Sequence, residues 1–310
     1  MKFSHSVVLL LAGMLAAYPE VVGAASTDPA PSPPQQAAAT PAFAYDEHAP
    51  LDLLTDVSRT ADGGVRISEI EYRSGATLVR AALVSPREPQ GLMPGVLFVH
   101  WLGDPATSNH TEFLGDAEWL ARRGFSSLLP DEPWSAADWF EHRRSNDTDP
   151  AETVATVVAL RRSLDVLART PGVDGEHLAL VGHDFGAMYG ALLAGADPRV
   201  RKAVFMTPTA SLAEWFLLDT ARPPADRTGY ETRMSAFDLP AALARATFDA
   251  CLLQFAAHDR YVPVARARAF AAAIVHGEKT VRTYDAGHAL DLDAATDDRR
   301  EWLLAHLTST

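Results

Sequence analysis

Cysteine is nearly missing from this chain. Cys251 is the one thiol in 310 residues, so no intrachain disulfide can form in any redox compartment. It lies in the apolar run Ala250–Ala257 (ACLLQFAA), with no flanking charge to lower its pKa. That setting marks a buried structural thiol, not a nucleophile. Basic runs are missing too: Lys and Arg never go beyond pairs, and the formal net charge is −13. Nucleic acid and anionic membrane surfaces need basic patches, so both are excluded as partners. The apolar run Val7–Ala17 (VVLLLAGMLAA) falls well short of the roughly 20 residues of a membrane-spanning helix. No His/Cys/Asp cluster has metal-ligand spacing and no Gly-rich phosphate loop occurs. No metal or cofactor is expected.

A hydrophobic content of 47% with 22% charge is that of a soluble globular protein, with ample chain for one large core. Lys2, the Val7–Ala17 run and the small residues Val22-Gly23-Ala24-Ala25 read as a signal peptide over residues 1–25, cut after Ala24 or Ala25. The chain is therefore expected to be exported, to the periplasm or beyond, with no stable membrane insertion once the signal is removed. No cysteine stands at the cleavage site to carry a lipid. Residues 26–44, rich in Pro, Ala and Gln, read as a flexible leader. Residues 45–310 read as the folded domain, and the sequence leaves its oligomeric state open.

Strand and helix signals alternate through this body. Val65–Tyr72 and Thr77–Val84 predict two strands joined through Ser74-Gly75, an antiparallel start to a sheet. Gly95–His100 (GVLFVH) is continuously apolar, as a strand buried on both faces must be. A helix over Glu112–Arg123, a strand over Phe125–Leu129 and a helix over Asp149–Ala168 follow, the last opened by Asp149-Pro150. Arg201–Met206, Cys251–Ala256 and Thr280–Tyr284 predict strands, and Val264–Val275 and Asp298–Leu307 predict helices. The fold class is α/β, a doubly wound and mostly parallel sheet with its site at the carboxyl ends of the strands. Residues 207–247 break the rhythm and predict a small helical lid. Its aromatics Trp215, Phe216 and Tyr230 are the candidates to bind substrate.

One stretch stands out, Val181-Gly182-His183-Asp184-Phe185-Gly186-Ala187. The strand-type run His177–Val181 (HLALV) turns directly into the helix-type run Ala187–Ala194 (AMYGALLA). A strand that becomes a helix at once puts the tip residue in a left-handed conformation and crowds the positions two before and two after. Glycine tolerates that crowding best. The tip, Asp184, is then pushed out beside the free amides at the helix start. Further on, Ala257-His258-Asp259-Arg260-Tyr261-Val262-Pro263 places an acid directly after a strand. Asp285-Ala286-Gly287-His288-Ala289-Leu290 places a histidine on a Gly-bearing loop after the last strand. The order is tip residue, acid, histidine.

On these motifs the chain resembles the α/β-hydrolase superfamily over roughly residues 65–307. Its HD-x-x-VP acid segment and GHA loop are similar to the dienelactone-hydrolase-like branch. The family order is Ser…Asp/Glu…His, so the resemblance implies Asp184 in the nucleophile position, Asp259 as the acid and His288 as the base. It implies oxyanion-hole amides at Phe185 and Trp101, although the family often has His-Gly where this chain reads His100-Trp101-Leu102-Gly103. His183, common before the tip in the family, is implied to be structural. His100 is implied to brace the oxyanion loop, and no partner is evident for His110 or His142.

Aspartate at the tip changes the chemistry. A carboxylate of ordinary pKa, about 3.9, is ionised at neutral pH and needs no base to become nucleophilic. It can displace a leaving group at saturated carbon and form an alkyl ester, which water activated by His288, oriented by Asp259, would then hydrolyse. In the family an aspartate nucleophile is similar to epoxide hydrolases and dehalogenases, so an epoxide or halide-type electrophile is implied as the small-molecule substrate. The lid offers only Tyr230 where epoxide opening usually uses two tyrosines. Phe185 has no polar hydrogen for a halide, which leaves the Trp101 indole N–H. No arginine follows the nucleophile, as haloacid enzymes of this fold have. Two other readings stay open: a binding protein that kept the fold and lost its serine, and an esterase in which Asp184 acts as a base through water.

Overall fold

The computed structural model describes residues 41–218 and 220–308. The expected signal peptide and residues 26–40 of the leader lie outside the described residues. β1 (Leu54–Ala61), β2 (Val65–Ser74) and β3 (Thr77–Pro86) form an antiparallel meander. β4 (Met93–Val99), β5 (Ser126–Pro130), β6 (Val173–His183), β7 (Lys202–Met206), β8 (Ala250–Ala256) and β9 (Glu278–Tyr284) are mutually parallel. All nine join one sheet in the order β1-β2-β3-β5-β4-β6-β7-β8-β9. The hairpin between β2 and β3 turns at Gly75, whose φ of 59° suits a residue without Cβ.

The helices are α1 (Leu114–Ala121), α2 (Asp149–Arg169), α3 (Phe185–Ala196), α4 (Leu212–Phe216), α5 (Arg227–Met234), α6 (Leu239–Arg245), α7 (Val264–Ala273) and α8 (Asp293–Leu307). They cover both faces of the sheet, and β4 shows how. Val96 and Phe98 pack with Phe113, Leu120 and Leu303 toward α1 and α8. Leu97 and Val99 pack with Leu160, Leu193 and Phe270 toward α2, α3 and α7. Alternate side chains thus enter opposite cores, and a strand buried on both sides has no polar position to spare. The doubly wound α/β architecture expected from the sequence is the one found.

Boundaries moved where periodicity was weak. β1 is absent from the sequence reading because it is a polar edge strand, exposed at every position but the last, and so carries no alternation. The first residues of α8, DAATDD, are acidic and almost free of apolar bulk, yet the helix begins at Asp293. Carboxylates in the first turn favour the positive helix end. Asp149 is not a cap but a first-turn residue, and its carboxylate is buried against Arg144 at 2.6 Å.

The lid expectation needs narrowing. α6 packs on α3 and carries Leu239 and Leu243 into the main core, and of the segment's described residues only those of α4 and the turn after it reach the cleft described below. α5 is pinned from beneath, because the Tyr230 hydroxyl donates to Asp149 Oδ2 at 2.9 Å. Arg144 Nη1 in turn donates to the Phe216 carbonyl at the end of α4. Asp149→Ala leaves the Arg144 guanidinium buried without its carboxylate, which costs about 3–5 kcal/mol. Urea unfolding should show that loss, with proteolysis of the native protein directed first to residues 212–237.

Candidate active site

The sequence GHDFG forces the geometry at the head of α3. Asp184 sits at φ 52° and ψ −114°, a region costly for a residue with a Cβ. A Cβ on Gly182 would run into the Gly186 backbone, and one on Gly186 into the Val99 carbonyl at the end of β4. The two glycines are what allow β6 to turn into α3 under β4. The turn is held by the Asp184 amide, which donates to the Met206 carbonyl at 2.9 Å.

The three sequence-predicted chemical groups meet here. His288 Nδ1 faces Asp259 Oδ2 at 2.8 Å, and Nε2 faces Asp184 Oδ1 at 3.6 Å. Asp259 Oδ1 accepts the amides of Tyr261 and Val262 at 2.8 and 2.9 Å, so the acid is fixed by the turn that follows β8. Burial alone would raise the Asp259 pKa, but His288 and these two amides hold it below the usual carboxylate range. Burial works against charge on His288 as well. Asp184 and Asp259 on either side overcome it and push the imidazole up to about 9.

The loop after β4, expected to supply an oxyanion amide, differs from the expectation by one residue. The Trp101 amide is spent on Glu112 Oε2 at 2.7 Å. The next amide, Leu102 N, points inward and donates to Asp184 Oδ2 at 3.1 Å. The amide of this loop that faces Asp184 is thus that of Leu102, not the expected Trp101. Phe185 opens α3, and the first amide of a helix has no acceptor within it. His100 braces this loop: its Nδ1 lies 2.8 Å from the Trp101 carbonyl, and its Nε2 accepts the Glu132 amide at 3.0 Å. Burial lowers its pKa, in keeping with a neutral ring that donates on one side and accepts on the other. His110, for which the sequence showed no partner, lies 2.9 Å from Asp131.

A cleft of about 510 Å³ opens over Asp184 and His288. Its walls are largely aromatic or aliphatic: Trp101, Leu102, Phe140, Phe185, Trp215 and Tyr261. No lysine or arginine is among the described residues that line it. Of the three proposed substrate-binding aromatics, only Trp215 lines the cleft. Phe216 lies behind it, with its ring 5.5 Å from that of Phe185. Tyr230 is fully buried on Asp149, so it cannot protonate a substrate. Tyr261 is in the wall too, with its ring 5.2 Å from His288. The Trp101 indole N–H, the sequence's one halide donor, is taken by Thr107 Oγ1 at 3.1 Å. Glu112 gave no sequence signal beyond a helix start, because its partners lie 11 and 71 residues away.

The sheet order, the strained elbow and the acid and histidine at successive strand ends are those of the α/β-hydrolase fold, and the chain has that fold. Solved structures bear this out. The chain is similar to an acetyl xylan esterase from Paenibacillus (TM-score 0.66, 21% identity, 83% of this chain and 89% of that one). An acetyl xylan esterase from Thermoanaerobacterium aligns with TM-score 0.67 at 16% identity, over 84% of this chain and 89% of that one. A Klebsiella pneumoniae protein assigned as a dienelactone hydrolase aligns with TM-score 0.57 at 16% identity, over 78% and 98%. Among curated proteins, polyketide transferase af380 of Aspergillus fumigatus is 36% identical over 95 residues, 31% of this chain and 31% of that protein. The matched stretch thus spans about a third of that relative's length. No family model matches the chain.

The charge on His288 gives a direct test. Because its folded pKa lies near 9 and the ordinary value is 6.5, the two carboxylates stabilise the fold fully below pH 6.5 and lose that effect as pH rises through 9. Asp184→Asn removes one of them. NMR titration should place the His288 ring near pH 9 in the native protein and lower in the variant. The variant's unfolding free energy should fall less between those pH values.

Proposed function

We propose that the chain is a hydrolase that uses Asp184 as its nucleophile, on a small, neutral and largely apolar electrophile, through a covalent alkyl ester. The observation that carries this reading is the division of labour within the Asp184 carboxylate. Oδ2 rests on the Leu102 amide at 3.1 Å, while the buried Oδ1 has no hydrogen-bond partner and faces His288. One oxygen is thus already where an oxyanion would be held, and the other is free to attack. The solved structures similar in fold are esterases and a dienelactone hydrolase by name, which supports hydrolysis as the reaction class.

In the first step Oδ1 attacks the substrate carbon and the bond to the leaving atom breaks. A departing oxygen takes the proton of the His288 imidazolium, which stands in the cleft wall and is left as a neutral ring. The product is an ester in which Oδ2 is the carbonyl oxygen. Alkylation removes the Asp184 charge, so one of the two groups that raised the His288 pKa is gone and a neutral ring can serve as base. His288 then takes a proton from water, and the hydroxide adds to Asp184 Cγ. The charge on Oδ2 falls on the Leu102 and Phe185 amides. Collapse expels the alcohol, which takes its proton from His288, and returns the carboxyl to the cycle.

Oxygen leaving groups suit this cleft better than halides. The Trp101 indole N–H is committed to Thr107, whereas the His288 imidazolium in the wall can give a proton to a departing oxygen. Anionic substrates are disfavoured, because the described lining residues include Asp104 and Asp184 but no lysine or arginine. Strained cyclic ethers are therefore the first class to test. The N-terminal apolar run adds export to the proposal, and N-terminal sequencing of the mature protein should begin at Ala25 or Ser26.

The test is the intact mass of His288→Ala after exposure to styrene oxide, 1-bromobutane and p-nitrophenyl acetate. A stable adduct mapping to Asp184 is expected, from styrene oxide with the proton drawn from solvent in this variant. Asp184→Asn should take up no label and lose turnover by about 10⁴-fold or more. Turnover by the native protein with no adduct on His288→Ala would point to Asp184 acting as a base through water. Inertness of every form would point to a binding role.

A further inference from the structure

Glu112 lies just before α1, outside the cleft wall, and only 12% of its side chain is exposed. Its two oxygens go to different loops. Oε2 accepts the Trp101 amide at 2.7 Å, and Oε1 lies 2.6 Å from His183 Nδ1. His183 is itself fully buried, and its Nε2 lies 3.1 Å from the His288 carbonyl. The same carbonyl accepts the Thr207 hydroxyl at 3.3 Å. The Trp101 indole lies flat on the His183 ring, at 5.0 Å and 6°. A continuous polar bridge thus runs from the oxyanion loop through Glu112 and His183 to the loop that carries His288.

We infer that Glu112 is a positioning residue that locks the oxyanion loop and the base loop to each other, and that it serves the ester-hydrolysis half of the reaction. The inference rests on the reading that Asp184 forms an ester. Its logic is one of spacing along the backbone. Holding the Trp101 amide on Glu112 fixes the next peptide, so that Leu102 N faces Asp184 Oδ2. Holding the His183 ring fixes the His288 backbone, and with it the line from Nδ1 to Asp259. Attack by Asp184 depends less on these bonds, because the elbow backbone presents the carboxylate and no water has to be activated at that step. Hydrolysis of the ester needs both at once, with Leu102 N on Oδ2 and His288 on the water. A misplacement of about 1 Å at this step is enough to cost roughly a hundredfold in rate.

A structural residue and a positioning residue give different kinetics here. Glu112→Ala should lower kcat about a hundredfold, lower KM in parallel and leave kcat/KM within about threefold, since an ester that forms normally and breaks slowly pulls both constants down. Styrene oxide and 1-bromobutane are the probes, and intact mass at steady state should show the Asp184 ester accumulating. Glu112→Gln should recover to within about tenfold of the native kcat. Its amide oxygen can accept from Trp101 N, and its NH2 can donate to an unprotonated His183 Nδ1. If the alanine variant does not fold, Glu112→Asp, too short to reach both partners, is read in its place.

Loss of kcat/KM equal to the loss of kcat, without ester, in a folded variant overturns the inference. So does a glutamine variant no better than alanine. His288→Ala, run alongside, separates this from the reading beneath it. Adduct on His288→Ala with none on the Glu112 variants sinks the role of Glu112 alone. No adduct on either, from a native protein that turns over, sinks the ester mechanism and this role together.

Discussion

Everything at the catalytic end of this sheet depends on the close crossing of α3 over the end of β4, where Gly186 lies against the Val99 carbonyl. No side chain larger than hydrogen fits there. The crossing brings the first amide of α3 and the first residues of the loop after β4 to one point, and it holds Asp184 at φ 52° between them. The strain at that residue is offset by the β4–β6–β7 pairing beneath it and by the bond from Asp184 N to Met206. A tip residue held this way gives up rotational freedom before any substrate arrives, which is the condition for efficient attack.

The second organising feature is electrostatic. Three groups of alternating charge, Asp184, His288 and Asp259, lie in line, buried under aromatic walls. Low polarity around them strengthens each attraction and raises the cost of leaving any one unpaired. Two carboxylates on one imidazole favour the imidazolium in the free protein. In a serine-based triad the ring faces a neutral hydroxyl and one acid. Aspartate at the tip therefore changes the charge state in which the histidine waits and, on the proposed reading, the nucleophile.

Much of this could be read from the sequence. The apolar run of β4, the GHDFG elbow, and the acid and histidine after successive strands are local signals, and each is set by backbone sterics or by two-sided burial. The elbow glycines in particular report a crossing that the chain cannot make otherwise. Exposure hid β1, whose polar pattern has no period. The Tyr230 error had a different origin. An aromatic among Pro and Arg looks like lid material, but whether its hydroxyl meets substrate or a carboxylate depends on where Asp149 lies, 81 residues earlier.

The sequence by itself determined the α/β architecture, the identity of the tip residue and the order of the three charged groups, because burial periodicity and glycine placement are properties of short segments. Only the tertiary structure decided which amide of the His100–Gly103 loop faces Asp184, which aromatics wall the cleft, and that Glu112 joins two loops. Those outcomes are set by distances between segments far apart in the chain. A shift of one peptide there moves the Leu102 amide in and the Trp101 amide out, and no local pattern records it.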